Sequence, residues 1–191
     1  MSAPRPEWHS RGYLPHWEAG EAPQAICFRL ADSLPASAVK RLLADLDGLP
    51  ESEAKDKRRR GLEALLDQGY GEAYLRRADL GSIVQNALLF FDNIRYRLHA
   101  WCVMPNHVHA LVTPIDENQL SALVHSWKSY TAQRINQILG RKGVVWYVEY
   151  YDRRIRDERH FETARFYIEQ NPVTAGLCRT APDWAFSSAS R

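Results

Sequence analysis

Cysteine is scarce in this chain: 191 residues hold three, Cys27, Cys102 and Cys178, odd in number and far apart. That excludes a disulfide framework and offers no zinc-knuckle spacing, so a reducing, cytoplasmic setting is expected. Long apolar runs are missing as well. Stretches such as Asn86-Ala-Leu-Leu-Phe-Phe91 fall far short of the roughly 20 apolar residues a bilayer-spanning helix needs, so no membrane partner is expected. The opening Met1-Ser-Ala-Pro-Arg-Pro6 lacks the apolar core of an export signal. No internal repeat or low-complexity tract occurs. Neither sign of charge dominates, with 25 Lys and Arg facing 23 Asp and Glu for a formal +2.

What is present is the composition of one soluble globular domain, 45% hydrophobic and 25% charged. The charge is unevenly spread. Residues 124–191 carry 11 basic against 7 acidic side chains, together with Trp127, Trp146, Tyr147, Tyr150 and Tyr151. Cations meet phosphates and rings stack on unpaired bases, so the mixture suits a nucleic-acid strand; a solvated face over core aromatics has the same composition.

Periodicity and breakers divide the chain. A strand is expected from Pro23 to Ala31, and a helix from Ser37 to Leu46 stopped by Gly48 and Pro50. The mixed-charge run Glu51–Arg60 opens an exposed helix continuing through Leu62, Leu65 and Leu66; its Lys57–Arg60 is either a phosphate-contacting patch or a solvated face. Leu80, Ile83, Val84, Ala87, Leu88 and Phe91 recur at helical spacing. Residues 95–113 read as a β-hairpin turning at Pro105-Asn106, followed by a long helix from Leu120 to Ile138 ended by Gly140. Gly143–Val148 reads as another extended piece. A final helix runs from Glu158 to Gln170, stopped by Asn171-Pro172. This order predicts an α+β fold whose antiparallel sheet is covered mainly on one face.

His107 and His109 are the sharpest local feature. Separated by Val108 on a strand, their side chains point the same way, about 7 Å apart at the base, and can converge on one metal ion. The alternative is two partly exposed histidines beside a turn. His99, on the partner strand two residues before Trp101, reads as structural. In the final helix Tyr167 and Asn171 stand four apart on one face, at the edge of the stripe formed by Phe161, Ala164 and Ile168. Two readings are open: both side chains face a substrate beside the sheet, or Tyr167 packs on the sheet and Asn171 caps the helix. Tyr130 is a rival phenol, but it lies in line with the apolar stripe of Leu123 and Trp127, and Arg134 four residues later cannot ligate a metal.

His99-Ala-Trp-Cys-Val-Met-Pro-Asn-His-Val-His-Ala-Leu-Val-Thr-Pro114, Tyr150-Tyr-Asp-Arg-Arg-Ile-Arg-Asp157, Tyr167-Ile-Glu-Gln-Asn-Pro-Val-Thr-Ala-Gly-Leu177 and Asp183-Trp-Ala-Phe-Ser-Ser188 together resemble the REP-associated tyrosine transposases. These are relatives of the single-tyrosine HUH transposases. The resemblance covers roughly residues 11–34 and 80–188, leaving about 36–79 as a helical insertion with no role assigned within a single domain of residues 1–191. It implies a ferredoxin-like sheet with the histidine pair on a central strand. It also implies Tyr167 as nucleophile, and His107, His109 and Asn171 as ligands of Mg²⁺ or Mn²⁺. Asparagine stands where related transposases often have glutamine, and its neutral carbonyl oxygen suits a hard cation. The implied activity is cleavage and rejoining of single-stranded DNA at hairpins through a 5′-phosphotyrosine, by a monomer or a homodimer. The alternative is a domesticated nucleic-acid-binding module of the same fold without turnover. Lys128, Arg153, Arg154, Arg156, Arg159 and Arg165 are candidates for the DNA path, with Asp152 and Asp157 as rival partners for the arginines among them.

Overall fold

The computed structural model describes residues 7–10, 15–18 and 21–191. The Gly12-Tyr-Leu portion of the resembling stretch lies outside them. Two short strands, β1 (Glu7–Ser10) and β2 (Pro15–Glu18), pair antiparallel as a separate ribbon. The main sheet has four antiparallel strands in the order β4-β5-β3-β6: β3 (Gln24–Arg29), β4 (Tyr96–Val103), β5 (His107–Pro114) and β6 (Tyr151–Arg154). Among the described residues five α-helices accompany it: α1 (Ala36–Ala44), α2 (Glu51–Asp67), α3 (Ala78–Leu89), α4 (Leu120–Ile138) and α5 (Glu158–Thr174). The fold is α+β, with the hairpin β4–β5 where the alternation of residues 95–113 places it and the histidine pair on a central strand.

The sheet faces are unequal. Ile26 and Phe28 of β3 and Val108, Ala110 and Val112 of β5 point to the side where α3 and α4 bury Leu80, Val84, Leu88, Leu123 and Trp127, forming the larger core. The other face carries α5 over a smaller core that includes Ala100, Cys102, Met104, Leu111 and Ile168. The sheet is thus covered mainly by α3 and α4, and α5 adds a thinner second layer. That layer covers the face on which the alternation of β5 sets His107 and His109. A β-bulge between Leu98 and Ala100 shifts the register so that Leu98 and Trp101 both reach the larger core. His99 is the bulged residue, and its Nε2 meets Thr113 Oγ1 at 2.8 Å beside the Phe161 ring.

Two sequence expectations change. Gly143–Val148 forms no strand; only Trp146 bridges to Leu30, while Val144 and Val148 are exposed. The fourth strand is β6 instead, whose Tyr151 and Arg153 pair with Cys27 and Ala25. Helix α5 does not stop at Asn171-Pro172. The proline ring forfeits one N–H, but in the last turn little ladder remains to be lost. Ala175 N–H still donates to Asn171 O at 2.9 Å and Leu177 N–H to Pro172 O at 2.8 Å. The helix ends at Thr174, and Gly176 takes the left-handed conformation (φ +70°) just beyond.

The larger core is ordered by one buried hydroxyl. Tyr96 Oη donates to Leu88 O at 2.6 Å and accepts from Trp127 Nε1 at 3.0 Å, joining β4, α3 and α4. Tyr96→Phe leaves two buried groups unsatisfied, so a loss of about 1–3 kcal/mol is expected, read as a lower urea midpoint with an unchanged slope.

Candidate active site

The turn between β4 and β5 presents His107 as the first residue of β5, and β5 is held by ladders on both sides. The two imidazoles stand with ring centroids 4.8 Å apart at an interplanar angle of 88°. Both are buried, and burial keeps them neutral: it drives His107 well below the ordinary imidazole value, with His109 adding to the effect, and lowers His109 to about 4.

Asn106 fixes which nitrogen of His107 carries the proton. Its Nδ2 donates to Leu66 O and to Tyr70 O, each at 3.1 Å, so its Oδ1 is left to accept. That oxygen lies 2.8 Å from His107 Nδ1, which must therefore be the protonated nitrogen. His107 Nε2 keeps its lone pair, is buried, and has no hydrogen-bond partner. A neutral imidazole oriented through one nitrogen and open at the other is the usual form of a histidine metal ligand.

Helix α5 brings in the phenol. Asp157 caps its N-terminus, accepting from the His160 N–H at 2.8 Å. The Tyr167 ring centroid lies 5.6 Å from that of His109, nearly perpendicular to it, and the residue is 38% exposed. Asn171 follows one turn later on the same helix face. It is no cap: it lies inside the helix, 1% exposed, and neither Oδ1 nor Nδ2 has a partner.

Those orphaned atoms test whether a divalent cation suits the site. Buried amides and imidazoles are almost always satisfied, so two bare ligand atoms, His107 Nε2 and Asn171 Oδ1, fit a partner with several coordination positions. The set of two imidazole nitrogens and an amide oxygen accepts Mg²⁺ or Mn²⁺. Asp67 Oδ1, 3.9 Å from His107 Nε2, offers a carboxylate beside them. Among the described residues no three His, Cys, Asp or Glu side chains already form a metal cluster.

Sequence reasoning assigned residues 36–79 no role and so missed what α2 contributes. The last turns of α2 lie against the site, and Asn106 secures them through the Leu66 carbonyl. Arg59, Arg60 and Glu63 of α2 line a cleft of about 360 Å³ together with His109, Tyr167 and Arg153. Glu63 shares that cleft with Tyr167 and is gripped by Arg59 Nη1 at 3.0 Å. Burial raises the Glu63 carboxyl, opposed by Arg59 and Tyr167, and lifts Asp67 to about 6 with help from the Glu63 charge. The Tyr167 phenol is pushed up by burial, then by the charges of Glu63 and Asp67. The only sequence signal was spacing: Arg59, Glu63 and Asp67 follow one another at i, i+4 on a single helix face.

The other candidates are dispersed. Arg153 reaches the cleft, whereas Arg154 turns to the opposite side of β6 and Arg156 and Arg159 are exposed near the start of α5. Arg165 pairs with Glu162 at 2.7 Å and Glu169 at 3.7 Å. Lys128 lies on α4, across the sheet from the histidine pair, and its Nζ donates to the carbonyls of Tyr147 and Val148 at 2.7 and 2.8 Å. Tyr130 is not a core residue but 52% exposed, because Thr131, four residues after Trp127, takes the buried position. On α4 it too is remote from the pair.

The site thus sets a phenol on a helix beside paired histidines on a central strand. Residues 77–171, just under half of the chain, match the family described as "Transposase IS200 like". The chain is 28% identical to a REP-associated tyrosine transposase of Escherichia coli over half of this chain and 56% of that protein. It is 31% identical to an uncharacterised Haemophilus influenzae protein over 50% of this chain and 66% of that one. The chain spans little more than half the length of the curated REP-associated relatives it matches. Its fold is that of a REP-associated tyrosine transposase solved with a REP hairpin, at a TM-score of 0.59 and 17% identity, covering 100% of this chain and 84% of the other. Among the described residues no helix is long and apolar enough to cross a membrane.

The buried imidazoles set an acid limit on stability. Between the ordinary value of 6.5 and about 4, the unfolded chain binds a proton that native His109 refuses, so stability falls with pH across that window. Asp67 acts oppositely, since its native carboxyl binds a proton between about 6 and the ordinary 3.8. His109→Gln removes the first effect and keeps the second. In a chelator the wild type is expected to lose more stability than this variant between about pH 7 and pH 4.5, measured as urea midpoints.

Proposed function

We propose that this chain is a metal-dependent transposase-type enzyme that cuts and rejoins single-stranded DNA at hairpins through a 5′-phosphotyrosine on Tyr167. The observation that carries the reading is the Tyr167 ring 5.6 Å from His109, next to a His107 Nε2 that is buried, unprotonated and without a partner. The hairpin substrate follows the likeness to the REP-associated relatives and to the protein solved with a REP hairpin.

His107, His109 and Asn171 would hold the cation. Bound there, Mg²⁺ or Mn²⁺ polarises the scissile phosphate and offsets the charge that develops on its oxygens. The chain does the rest. Tyr167 Oη attacks phosphorus, the P–O3′ bond breaks, and the strand leaves with a 3′-hydroxyl while its neighbour stays on the enzyme. The phosphotyrosine retains the energy of the phosphodiester, so a second 3′-hydroxyl can displace Tyr167 and rejoin DNA without ATP. Arg153, Arg59 and Arg60 supply positive charge along the cleft, and the guanidinium fork suits phosphate oxygens.

The test is a labelled single-stranded hairpin incubated with the protein and Mn²⁺. A denaturant-resistant adduct is expected with the wild type and none with Tyr167→Phe. His107→Ala or His109→Ala should abolish cleavage while keeping the fold and most hairpin affinity, and that affinity should fall steeply with salt. Hairpin binding with no adduct on any sequence would favour the binding-module alternative and overturn the enzyme.

A further inference from the structure

We propose that Glu63, carried by α2, is the base that takes the Tyr167 proton during attack. The inference rests on the strand-transfer reading above and names a residue that reading leaves open. Its ground is geometry. Glu63 is the carboxylate that lines the cleft together with the Tyr167 hydroxyl that must lose its proton. Arg59 Nη1 reaches both Glu63 oxygens, at 3.2 and 3.0 Å, and so fixes the carboxylate plane. The helix bearing it is in turn fixed to the histidine hairpin, because Asn106 holds the Leu66 carbonyl at 3.1 Å. A base must come within hydrogen-bond reach of the proton it removes, directly or through one water, and among the cleft-lining residues Glu63 is the one carboxylate placed to do so.

The surrounding charges explain why the transfer accompanies attack. Glu63 faces Arg59 and Asp67 on its own helix, Tyr151 and Arg153 on β6, Tyr167 on α5 and Cys27 on β3. Burial and the two carboxylates hold the phenol protonated in the resting site. As Oη closes on phosphorus, its negative charge flows into the new bond and the proton becomes easy to give up. The Tyr167 O–H bond breaks, its proton passes to a Glu63 oxygen, and the Oη–P bond forms. The P–O3′ pair departs on the 3′ oxygen, which takes a proton from solvent. Glu63 then releases its proton to solvent, or returns it to the phenolate when a second 3′-hydroxyl displaces Tyr167.

Glu63→Gln, which keeps the shape and loses the basicity, tests this. Adduct formation in a single turnover should slow by about 10²-fold or more, with Mn²⁺ binding read by electron paramagnetic resonance retained and hairpin affinity no weaker. Glu63→Asp, which keeps a retracted carboxylate, should recover part of the rate. An adduct rate equal to wild type, or a slowed rate explained by lost Mn²⁺ binding or weaker hairpin affinity, overturns the inference; the first leaves strand transfer standing. A wild-type chain that forms no adduct overturns both.

Discussion

The Asn106 carboxamide makes three hydrogen bonds in a place nearly closed to water, being itself 1% exposed. Two go to carbonyls at and beyond the end of α2, where a helix leaves its last C=O groups without partners. The third sets the tautomer of His107. Because the two carbonyls dictate which way the amide points, the protonation of the imidazole is decided by a helix forty residues upstream. Helix α2 and the histidine hairpin are therefore one structural unit: disturbing the end of α2 disturbs the lone pair at Nε2.

That coupling accounts for the crowding of unlike charges around one phenol. Neutral imidazoles, two carboxylates and three guanidinium groups share the same end of the sheet, and no simple excess of either sign results. The carboxylates hold the resting phenol in its unreactive form while the arginines make the cleft hospitable to a phosphate. Asn171 adds a further tension. It keeps helical backbone although the proline that follows it disfavours that conformation, and its buried amide is unsatisfied. Two unfavourable features on one residue are sensible where a ligand compensates them.

Much of this was legible in the sequence, for identifiable reasons. The alternation of residues 95–113 and the Pro105-Asn106 turn carry the hairpin and therefore the common face of His107 and His109. The i, i+4 spacing carries the common face of Tyr167 and Asn171. The end of α5 was not legible, because proline reads as a stop whether it falls in the first turn past a helix or in the last turn of one. The strand β6 hid within a basic, aromatic stretch with no alternation of its own, and the apolar Val144, Val145 and Val148 drew attention away from it. The contribution of α2 was hidden most deeply. Arg59, Glu63 and Asp67 form a pattern identical to that of a solvated surface helix, and only the packing of α2 against the hairpin turns them inward.

The closing segment has a consequence of another kind. Strand β4 is an outer strand, and beside it Phe186 O accepts from Val103 N–H at 2.8 Å while Trp184 Nε1 reaches Val103 O at 3.0 Å. A bare outer strand recruits others like it. These few residues act as a guard rail: clipped away, they would leave a rigid, apolar ribbon open to templated stacking of one molecule on the next, so the solubility of the whole domain hangs on a stretch that does no chemistry.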